Sequence, residues 1–403
     1  MRSPKADDRR SVYLWTGSLA HAVQDGLTAA IYVLLPVLAQ SLGLNLSEVG
    51  LYKGLKSFVQ GLLEIVSGIA SERFGDRALL VFGLALSGMG YLLFSQTDSG
   101  VGVLLCLIVV GVGTAFQHSP ASAMISRAYA AKGRRGALGL YNSSGDAGKL
   151  AFASGFSLAV GAGLAWHTVT FAYGLAGLLA GIAILVALRA SPLAWATRRR
   201  IGSVDIAGSV KGWGILDRGS FTALLVVVFL DSMVQAGALT FAAFLMLAKG
   251  EPLATATFAA TAILVGGMLG KAFCGFLADR IGPRKAFSLV QVLTAVLLVA
   301  VVMAPSLLAY LLMPLLGVVL QGSTSITYGM VNDFVHPDRA ARGFALVYGG
   351  SGFSTVVGPL TVGVVGDAHG VAAGILVLAV ASLLAIAPCW WLRVVPKAEQ
   401  AAP

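Results

Sequence analysis

Twelve apolar runs, each of about 20 residues or more, constrain the fold of this chain more than any other feature of its sequence. A helix needs about 20 residues to cross the hydrocarbon core of a bilayer. Lipid cannot satisfy backbone polar groups, so only helices and closed barrels can span it. Because the runs are continuous rather than alternating at every second residue, they favour helices. The predicted spans are residues 12–40, 47–70, 78–97, 101–126, 136–162, 166–188, 219–248, 253–277, 286–304, 306–330, 344–365 and 371–393.

Composition agrees with an all-α membrane protein of twelve spans. Charged residues make up 11% of the 403 residues, less than half of the roughly 25% that is typical of soluble domains. This excludes a soluble enzyme and a disordered chain. No P-loop, GxSxG or HExxH motif occurs, so the sequence predicts no ATP drive, no enzyme site, no cofactor and no metal.

The basic residues indicate how the chain is oriented. Of the 28 Lys and Arg residues, 23 fall at the termini or in connections on one predicted side of the membrane. By the positive-inside rule, both termini are then cytoplasmic, which we expect to be in the cell inner membrane. The net charge of +10 is thereby explained as a topology signal, and no nucleic-acid partner is expected.

The two halves of the sequence resemble each other at a shift of 207 residues. Residues 68–75 correspond to residues 275–282, and Arg135-Gly136 corresponds to Arg342-Gly343. We therefore predict two pseudo-symmetric six-helix bundles, with a substrate site between them near the bilayer midplane. The predicted division is an N-terminal bundle, a cytoplasmic linker and a C-terminal bundle, at residues 1–189, 190–217 and 218–403.

The segment Gly275-Phe-Leu-Ala-Asp-Arg-Ile-Gly-Pro-Arg-Lys285 resembles the loop signature of the major facilitator superfamily. This resemblance implies a secondary transporter that moves a small molecule by alternating access. It also implies that charges in and near the loops latch the halves together and then separate. The alternative is that they only fix orientation and cap helices. The candidate gating residues are Glu64, Glu72, Arg73, Lys271, Asp279, Arg280 and Arg284.

Four further segments resemble the fosmidomycin-resistance-like branch of that superfamily. They are His21-Ala-Val-Gln-Asp-Gly26, Gln117-His-Ser-Pro120, Gly133-Arg-Arg-Gly136 and Gly145-Asp-Ala-Gly-Lys149. The resemblance implies proton-coupled export of drugs.

Eight ionisable residues lie within the predicted spans: Asp25, Lys53, Lys56, Glu64, Asp146, Lys149, Asp231 and Lys271. Each charge at the bilayer centre costs roughly 2.5–3.5 kcal/mol on insertion scales. We therefore expect most of them to face an aqueous cavity or one another.

Several of these groups are candidates for binding substrate or protons. His21 and Asp25 share a helix face, and either carry protons or form a structural pair. Asp231 is the approximate counterpart of Asp25 in the second half. Lys56 is expected to line the cavity, and Pro120 is expected to loosen the helix beside His118, which could also be a core residue. The candidate substrate- and proton-binding residues are His21, Gln24, Asp25, Lys56, His118, Asp146, Lys149, Asp231 and Gln235.

Together these patterns predict a monomeric carrier whose partners are a small-molecule substrate, protons and membrane lipid. The expected activity is proton-coupled export of a drug-like or anionic compound. Two alternatives remain open, namely proton-coupled uptake of a carboxylate or other organic anion, and a non-transporting scaffold or receptor.

Overall fold

The computed structural model describes residues 7–129, 133–189, 213–336 and 340–393. Most of the predicted linker, residues 190–212, lies outside the described residues, and so does the side chain of Glu72. Within the described ranges the chain is helical apart from short connections, one 3₁₀ turn at Met330–Asp333 and one isolated antiparallel bridge. The predicted all-α membrane fold is confirmed.

The helices follow the predicted spans closely. In the first half of the chain they are α1 Asp7–Leu42, α2 Leu46–Phe74, α3 Asp76–Phe94, α4 Gly100–Ala115, α5 His118–Ala128, α6 Arg134–Gly161 and α7 Trp166–Ala187. In the second half they are α8 Arg218–Ala248, α9 Leu253–Ala256, α10 Phe258–Ile281, α11 Pro283–Met303, α12 Ser306–Gly329, α13 Ala340–His369, α14 Val371–Leu384 and α15 Ile386–Trp390.

Three of the predicted spans are each divided into two helices, which are α4 with α5, α9 with α10, and α14 with α15. The break before α5 has a clear cause. Pro120 has no N–H to donate to the carbonyl of Phe116, and its ring would clash with that carbonyl in a continuous helix. The helix accordingly ends at Ala115 and begins again at His118. The expected loosening beside His118 is therefore present.

Nine helical segments among the described residues are long and apolar enough to cross a membrane. The long helices α2, α6 and α13 are more polar. Helices α2 and α6 carry several of the intramembrane charges, and α13 is rich in glycine, serine and threonine. Hydropathy alone therefore misses these three helices, although it identifies α1 and α8, which carry Asp25 and Asp231.

Glycines with positive φ mark the same helix junctions in both halves of the chain. In such a conformation a Cβ atom would be strained, so glycine is the residue of choice. The pairs are Gly43 with Gly250, Gly75 with Gly282, and Gly163 with Gly370, with φ values of 67° and 90°, 84° and 87°, and 86° and 85°. Each pair is separated by the 207 residues found from the sequence repeat. The repeat is therefore present in the backbone as well as in the residue pattern.

The described residues form two compact units. Unit 1 comprises residues 1–44, 55–203 and 252–261, so far as they are described. In this unit α1 packs along α6, and α3 packs between α4 and α7. The close approach of α1 and α6 depends on Gly148, because a Cβ atom there would collide with the backbone of Ala22.

Substitution of Gly148 by alanine is expected to destabilise the protein by about 1–3 kcal/mol, because the added methyl forces α1 and α6 apart. Gly139 provides a matched control on the same helix, since nothing lies within 4 Å of its missing Cβ atom. Gly139→Ala should leave stability unchanged or raise it slightly through helix propensity. Thermal unfolding in detergent would compare the two variants. Equal melting temperatures would contradict the packing argument.

Unit 2 comprises residues 45–54, 204–251 and 262–403, so far as they are described. Helix α8 lies against α13 and α14, and the first residues of α2 also pack on α13 within this unit. There the Asp367 carboxylate accepts hydrogen bonds from the backbone N–H groups of Leu46 at 2.8 Å and Ser47 at 2.9 Å, and from the Ser47 hydroxyl. A carboxylate 320 residues away thereby caps the N-terminus of α2.

This cap predicts an acid-dependent contribution to stability. Slight burial alone would raise the pKa of Asp367, but the hydrogen bonds from Ser47 and Leu46 outweigh it and hold the pKa below its ordinary value. A lowered folded-state pKa stabilises the protein above the unfolded value of about 3.9, and this stability is lost as the pH falls through the folded-state pKa. Asp367→Ala should therefore lower the melting temperature at pH 7, at a cost of about 1 kcal/mol or less. Melting curves of both proteins should converge as the pH falls; a constant gap would argue against the cap.

Candidate functional site

Asp25 of α1 lies at the centre of a group of ionisable side chains in unit 1. Its Oδ2 atom is 3.1 Å from His21 Nε2 and 3.0 Å from Lys149 Nζ, and its Oδ1 atom is 3.6 Å from His118 Nε2. Lys149 Nζ is also 3.2 Å from Asp146 Oδ1. We call these five residues the Asp25 cluster. The Asp25 side chain is only 6% exposed, whereas those of Lys149 and His118 are 29% and 35% exposed.

Helix periodicity and glycine packing bring the cluster together. His21 and Asp25 are one turn apart on α1, and Asp146 and Lys149 are one turn apart on α6. The Gly145 backbone lies so close to the imidazole that a Cβ atom there would be 2.5 Å from His21 Nε2. Small residues on α6 therefore let its charged side chains reach α1.

The hydrogen bonding of His21 determines where its protons lie. Its Nδ1 atom is 2.8 Å from the backbone carbonyl oxygen of Tyr141, which can only accept a hydrogen bond. The Nδ1 atom therefore carries hydrogen, and in a neutral imidazole the Nε2 atom then has a lone pair facing the Asp25 carboxylate. Two acceptors at 3.1 Å repel each other unless a cation lies between them. The His21–Asp25 contact consequently holds a proton or another cation.

Helix α2 adds two further charges next to the cluster. Lys56 is fully buried and donates a hydrogen bond to Gln60 Oε1 at 2.5 Å. Glu64 is half-buried and close enough to His118, Asp25 and Lys56 to interact with them electrostatically. Lys56 is therefore not open to a cavity as the sequence suggested. Glu64 lies near the Asp25 cluster, although its pattern in the sequence suggested a gate.

Gln24 faces away from the Asp25 cluster although it precedes Asp25 in the chain. Its Nε2 atom donates to Ser87 Oγ on α3 at 2.7 Å and to Thr114 Oγ1 on α4 at 3.0 Å. Gln24 thus belongs to the packed interior between α1, α3 and α4.

In unit 2, Asp231 of α8 is the centre of a separate network of neutral side chains. Its Oδ1 atom accepts from Gln291 Nε2 at 2.6 Å, and its Oδ2 atom accepts from Gln235 Nε2 and Ser323 Oγ, both at 2.9 Å. Gln291 Oε1 in turn accepts from Ser382 Oγ at 2.5 Å. The network joins α8 to α11, α12 and α14, and Asp231 itself is buried.

Asp231 corresponds to Gln24 rather than to Asp25. The shift of 207 residues that relates the junction glycines aligns Asp231 with Gln24. The hydrogen bonds of the two residues agree with that alignment. Gln24 is bonded to α3 and α4, and Asp231 to α11 and α12, the helices at the same positions in the other half. Asp231 is therefore one residue away from the exact counterpart of Asp25, which is Ser232.

Of the other residues predicted to form a gate, all but Lys271 lie near helix ends. Asp279 and Arg280 are exposed, and the Arg280 guanidinium is 4.6 Å from the Phe276 ring centroid. Arg284 donates to the carbonyl oxygen of Leu392 at 3.2 Å. Arg73 is exposed and Lys271 is half-buried. The latching role of these charges stays a prediction.

An ion pair that was not expected from the sequence lies at the end of α5. Asp76 is buried at the first position of α3, where it pairs with Arg127 and accepts a hydrogen bond from Ser71. The sequence does contain one signal for Asp76, which is an acidic residue that directly follows a glycine at the start of a helix. There it lies at the positive end of the helix dipole. Its partner Arg127 could not be identified without the packing of α3 on α5.

Comparisons with known proteins cover nearly the whole chain. The sequence profile of the Major Facilitator Superfamily matches residues 17–250 and 224–403. The uncharacterized MFS-type transporter YfnC of Bacillus subtilis is 24% identical over 378 residues, which is 91% of this chain and 90% of YfnC. The multidrug resistance protein MdtH of Aeromonas hydrophila is 29% identical over 98 residues, covering 23% of this chain and 25% of MdtH.

Solved transporter structures share the fold. A bacterial homolog of the human lysosomal transporter Spinster, in its inward-facing and occupied conformation, superposes with a TM-score of 0.78 at 16% identity, covering 98% of this chain and 99% of that one. The nucleoside transporter NupG superposes with a TM-score of 0.73 at 12% identity, covering 94% and 99%. With its helical architecture, internal repeat and profile match, the chain belongs to the major facilitator superfamily of membrane transporters.

Proposed function

We propose that this transporter exports a drug-like compound across the inner membrane in exchange for protons, by alternating access and as a monomer with both termini in the cytoplasm. One observation carries the proposal. The His21–Asp25 contact requires a cation and adjoins two partly exposed basic side chains, Lys149 and His118. A proton can occupy that contact, and its arrival or departure changes the charge presented to a bound solute.

The charge of the solute sets the direction of coupling. A cationic solute that contacts the ionised Asp25 carboxylate competes with the proton, so that one leaves as the other binds. Mutually exclusive binding on one carrier gives exchange, and an inward proton gradient then drives export.

An organic anion would behave in the opposite way. It would bind Lys149 and His118 best when Asp25 is neutralised by a proton, so that both would move together and enter the cell. The excess of basic over acidic groups in direct contact with Asp25 supports this second candidate, namely uptake of an organic anion.

Similarity to other proteins favours the export reading. The segments around His21, His118 and Lys149 resemble the fosmidomycin-resistance-like branch of exporters. A partial match is named for multidrug resistance. We therefore propose that this chain belongs to that branch.

Everted membrane vesicles containing a pH-sensitive dye test the proposal. A proton gradient is imposed, and organic cations, anions and antibiotics are added one at a time to vesicles with and without the transporter. A cation that collapses the gradient only with the transporter present supports export. Anion-dependent proton entry into right-side-out vesicles would instead establish uptake. The absence of proton movement with every compound would indicate a non-transporting scaffold or receptor.

A further inference from the structure

We propose that His21, Asp25 and His118 form a binding site for a divalent transition-metal ion of the zinc type. These residues come from α1 and α5 within unit 1, and their ligand atoms all lie within 4.8 Å of one another. Two imidazole nitrogens and one carboxylate are a common ligand set for zinc, with water in the fourth position. The inference goes beyond the proposed function, because equilibrium binding of a metal requires neither a substrate nor a proton gradient.

The spacing of the ligand atoms is close to that of tetrahedral coordination. Zinc–nitrogen and zinc–oxygen bonds of about 2.1 Å place neighbouring ligand atoms of a tetrahedron about 3.4 Å apart. His21 Nε2 is 3.1 Å from Asp25 Oδ2, and His118 Nε2 is 3.6 Å from the other carboxylate oxygen, Oδ1. With one ligand atom taken from each residue, the three atoms lie within 4.8 Å of one another. A small approach of the ligand atoms would complete the coordination, and the half-buried His118 is the first residue of α5, just after the break that follows α4.

The orientation of His21 is that of a metal ligand whose second ring nitrogen is held by a hydrogen bond. A ligating histidine usually donates its other ring N–H to a carbonyl or carboxylate, which fixes the tautomer and the ring plane. In this structure the Tyr141 carbonyl receives the Nδ1 hydrogen at 2.8 Å, and the Tyr141 ring stacks on the imidazole at a centroid distance of 4.2 Å. The lone pair on Nε2 is consequently aimed at the position where the ion would lie.

The charges around the cluster also favour a cation. Among the described side chains that interact there, Asp25, Asp146 and Glu64 are acidic, whereas Lys56 and Lys149 are basic. With both imidazoles neutral, these groups carry three negative and two positive charges. Lys149 competes with the ion for Asp25, but it lies 3.2 Å from Asp146 Oδ1 and keeps that partner when Asp25 turns to the metal.

Cobalt(II) is the probe for the experiment, because tetrahedral Co²⁺ in a zinc-type site absorbs visible light strongly. Purified full-length protein without a histidine tag is stripped with a chelator, returned to buffer and titrated with CoCl₂. We expect one equivalent to bind with visible absorption bands, and ZnCl₂ to displace it. His118→Ala should weaken binding at least about tenfold, since mutation of a residue that only hydrogen-bonds to a metal ligand already costs about that much.

Two other variants separate this site from non-specific binding and from misfolding. His167 contacts Asp98 at 2.9 Å in an exposed histidine–carboxylate pair, so His167→Ala is a matched control that should bind Co²⁺ like the wild type. Lys149→Met removes the competing positive charge and should tighten binding at least about tenfold by simple electrostatics. A purely structural role for Lys149 would not produce that gain.

The outcomes decide the proposal without reference to transport. Loss of affinity in His118→Ala together with the gain in Lys149→Met supports the site, and the gain alone supports it if His118→Ala does not fold. The proposal is overturned if the wild type leaves Co²⁺ unbound, or if a folded His118→Ala binds it as the wild type does. Proton coupling in vesicles would stand or fall by its own assay in each case.

Discussion

Substitution of Asp25 by asparagine is expected to abolish proton-driven transport while leaving the fold intact. The amide has nearly the same shape as the carboxylate, but it cannot take up or release a proton. Lys149 retains Asp146 as a partner at 3.2 Å, so no cation is left buried without a neighbouring carboxylate. In enzymes a positioned proton-transfer group contributes about 100-fold or more, and we expect a loss of at least that size.

The measurement is gradient-driven transport by reconstituted protein, beside exchange of labelled for unlabelled substrate without a gradient. Asp25→Asn should lose the first and retain a substantial part of the second, since exchange needs no net proton movement. Asp98→Asn is the control, because Asp98 also contacts a histidine but is 83% exposed. Undiminished gradient-driven transport by Asp25→Asn would exclude Asp25 as the proton carrier.

Substitution of Asp231 by leucine is expected to cause a large loss of stability in unit 2. The change removes the acceptor of three hydrogen bonds, from Gln291, Gln235 and Ser323. Gln235 and Ser323 each keep a second acceptor, whereas Gln291 Nε2 is left without one. A buried group that loses its partner costs about 1–3 kcal/mol, whereas hydrogen bonds between membrane helices average about 0.6 kcal/mol. The lost acceptor of the fully buried Gln291 and the two other lost hydrogen bonds together give an expected cost of about 3 kcal/mol.

Thermal unfolding in detergent would rank a graded series of variants. Asp231→Asn keeps the volume and one acceptor, so it should lie between the wild type and Asp231→Leu. Gln24→Leu is the matched change in the first half, and it should cost less because only two hydrogen bonds, to Ser87 and Thr114, are lost. An Asp231→Leu protein as stable as the wild type would show that the network does not hold these helices together.

Much of the fold could be predicted because spanning a bilayer leaves few solutions. The apolar runs specify where helices lie, and the 207-residue repeat specifies that the two halves share the same order of helices and junctions. The repeat predicted from residues 68–75 and 275–282 reappears as Gly75 and Gly282 with nearly equal φ values. The interruption before His118 was likewise readable, because proline breaks a helix through its own covalent structure.

The candidate site was only partly predictable. The i,i+4 spacing puts His21 beside Asp25, and the i,i+3 spacing puts Asp146 beside Lys149. The same periodicity gives no reason for these pairs to meet, or for His118 to join them. Asp231 shows the limit most clearly, since a difference of one residue rotates a side chain by about 100° around the helix. It therefore faces the network of α11, α12 and α14.

The sequence by itself determined the membrane-spanning helices, their internal repeat and the presence of costly charges within them, because these follow from local hydropathy and covalent geometry. The packing of one helix on another decided which charges neutralise each other. That choice depends on glycine contacts such as Gly148 against Ala22 and on helix rotation, which are properties of the tertiary structure.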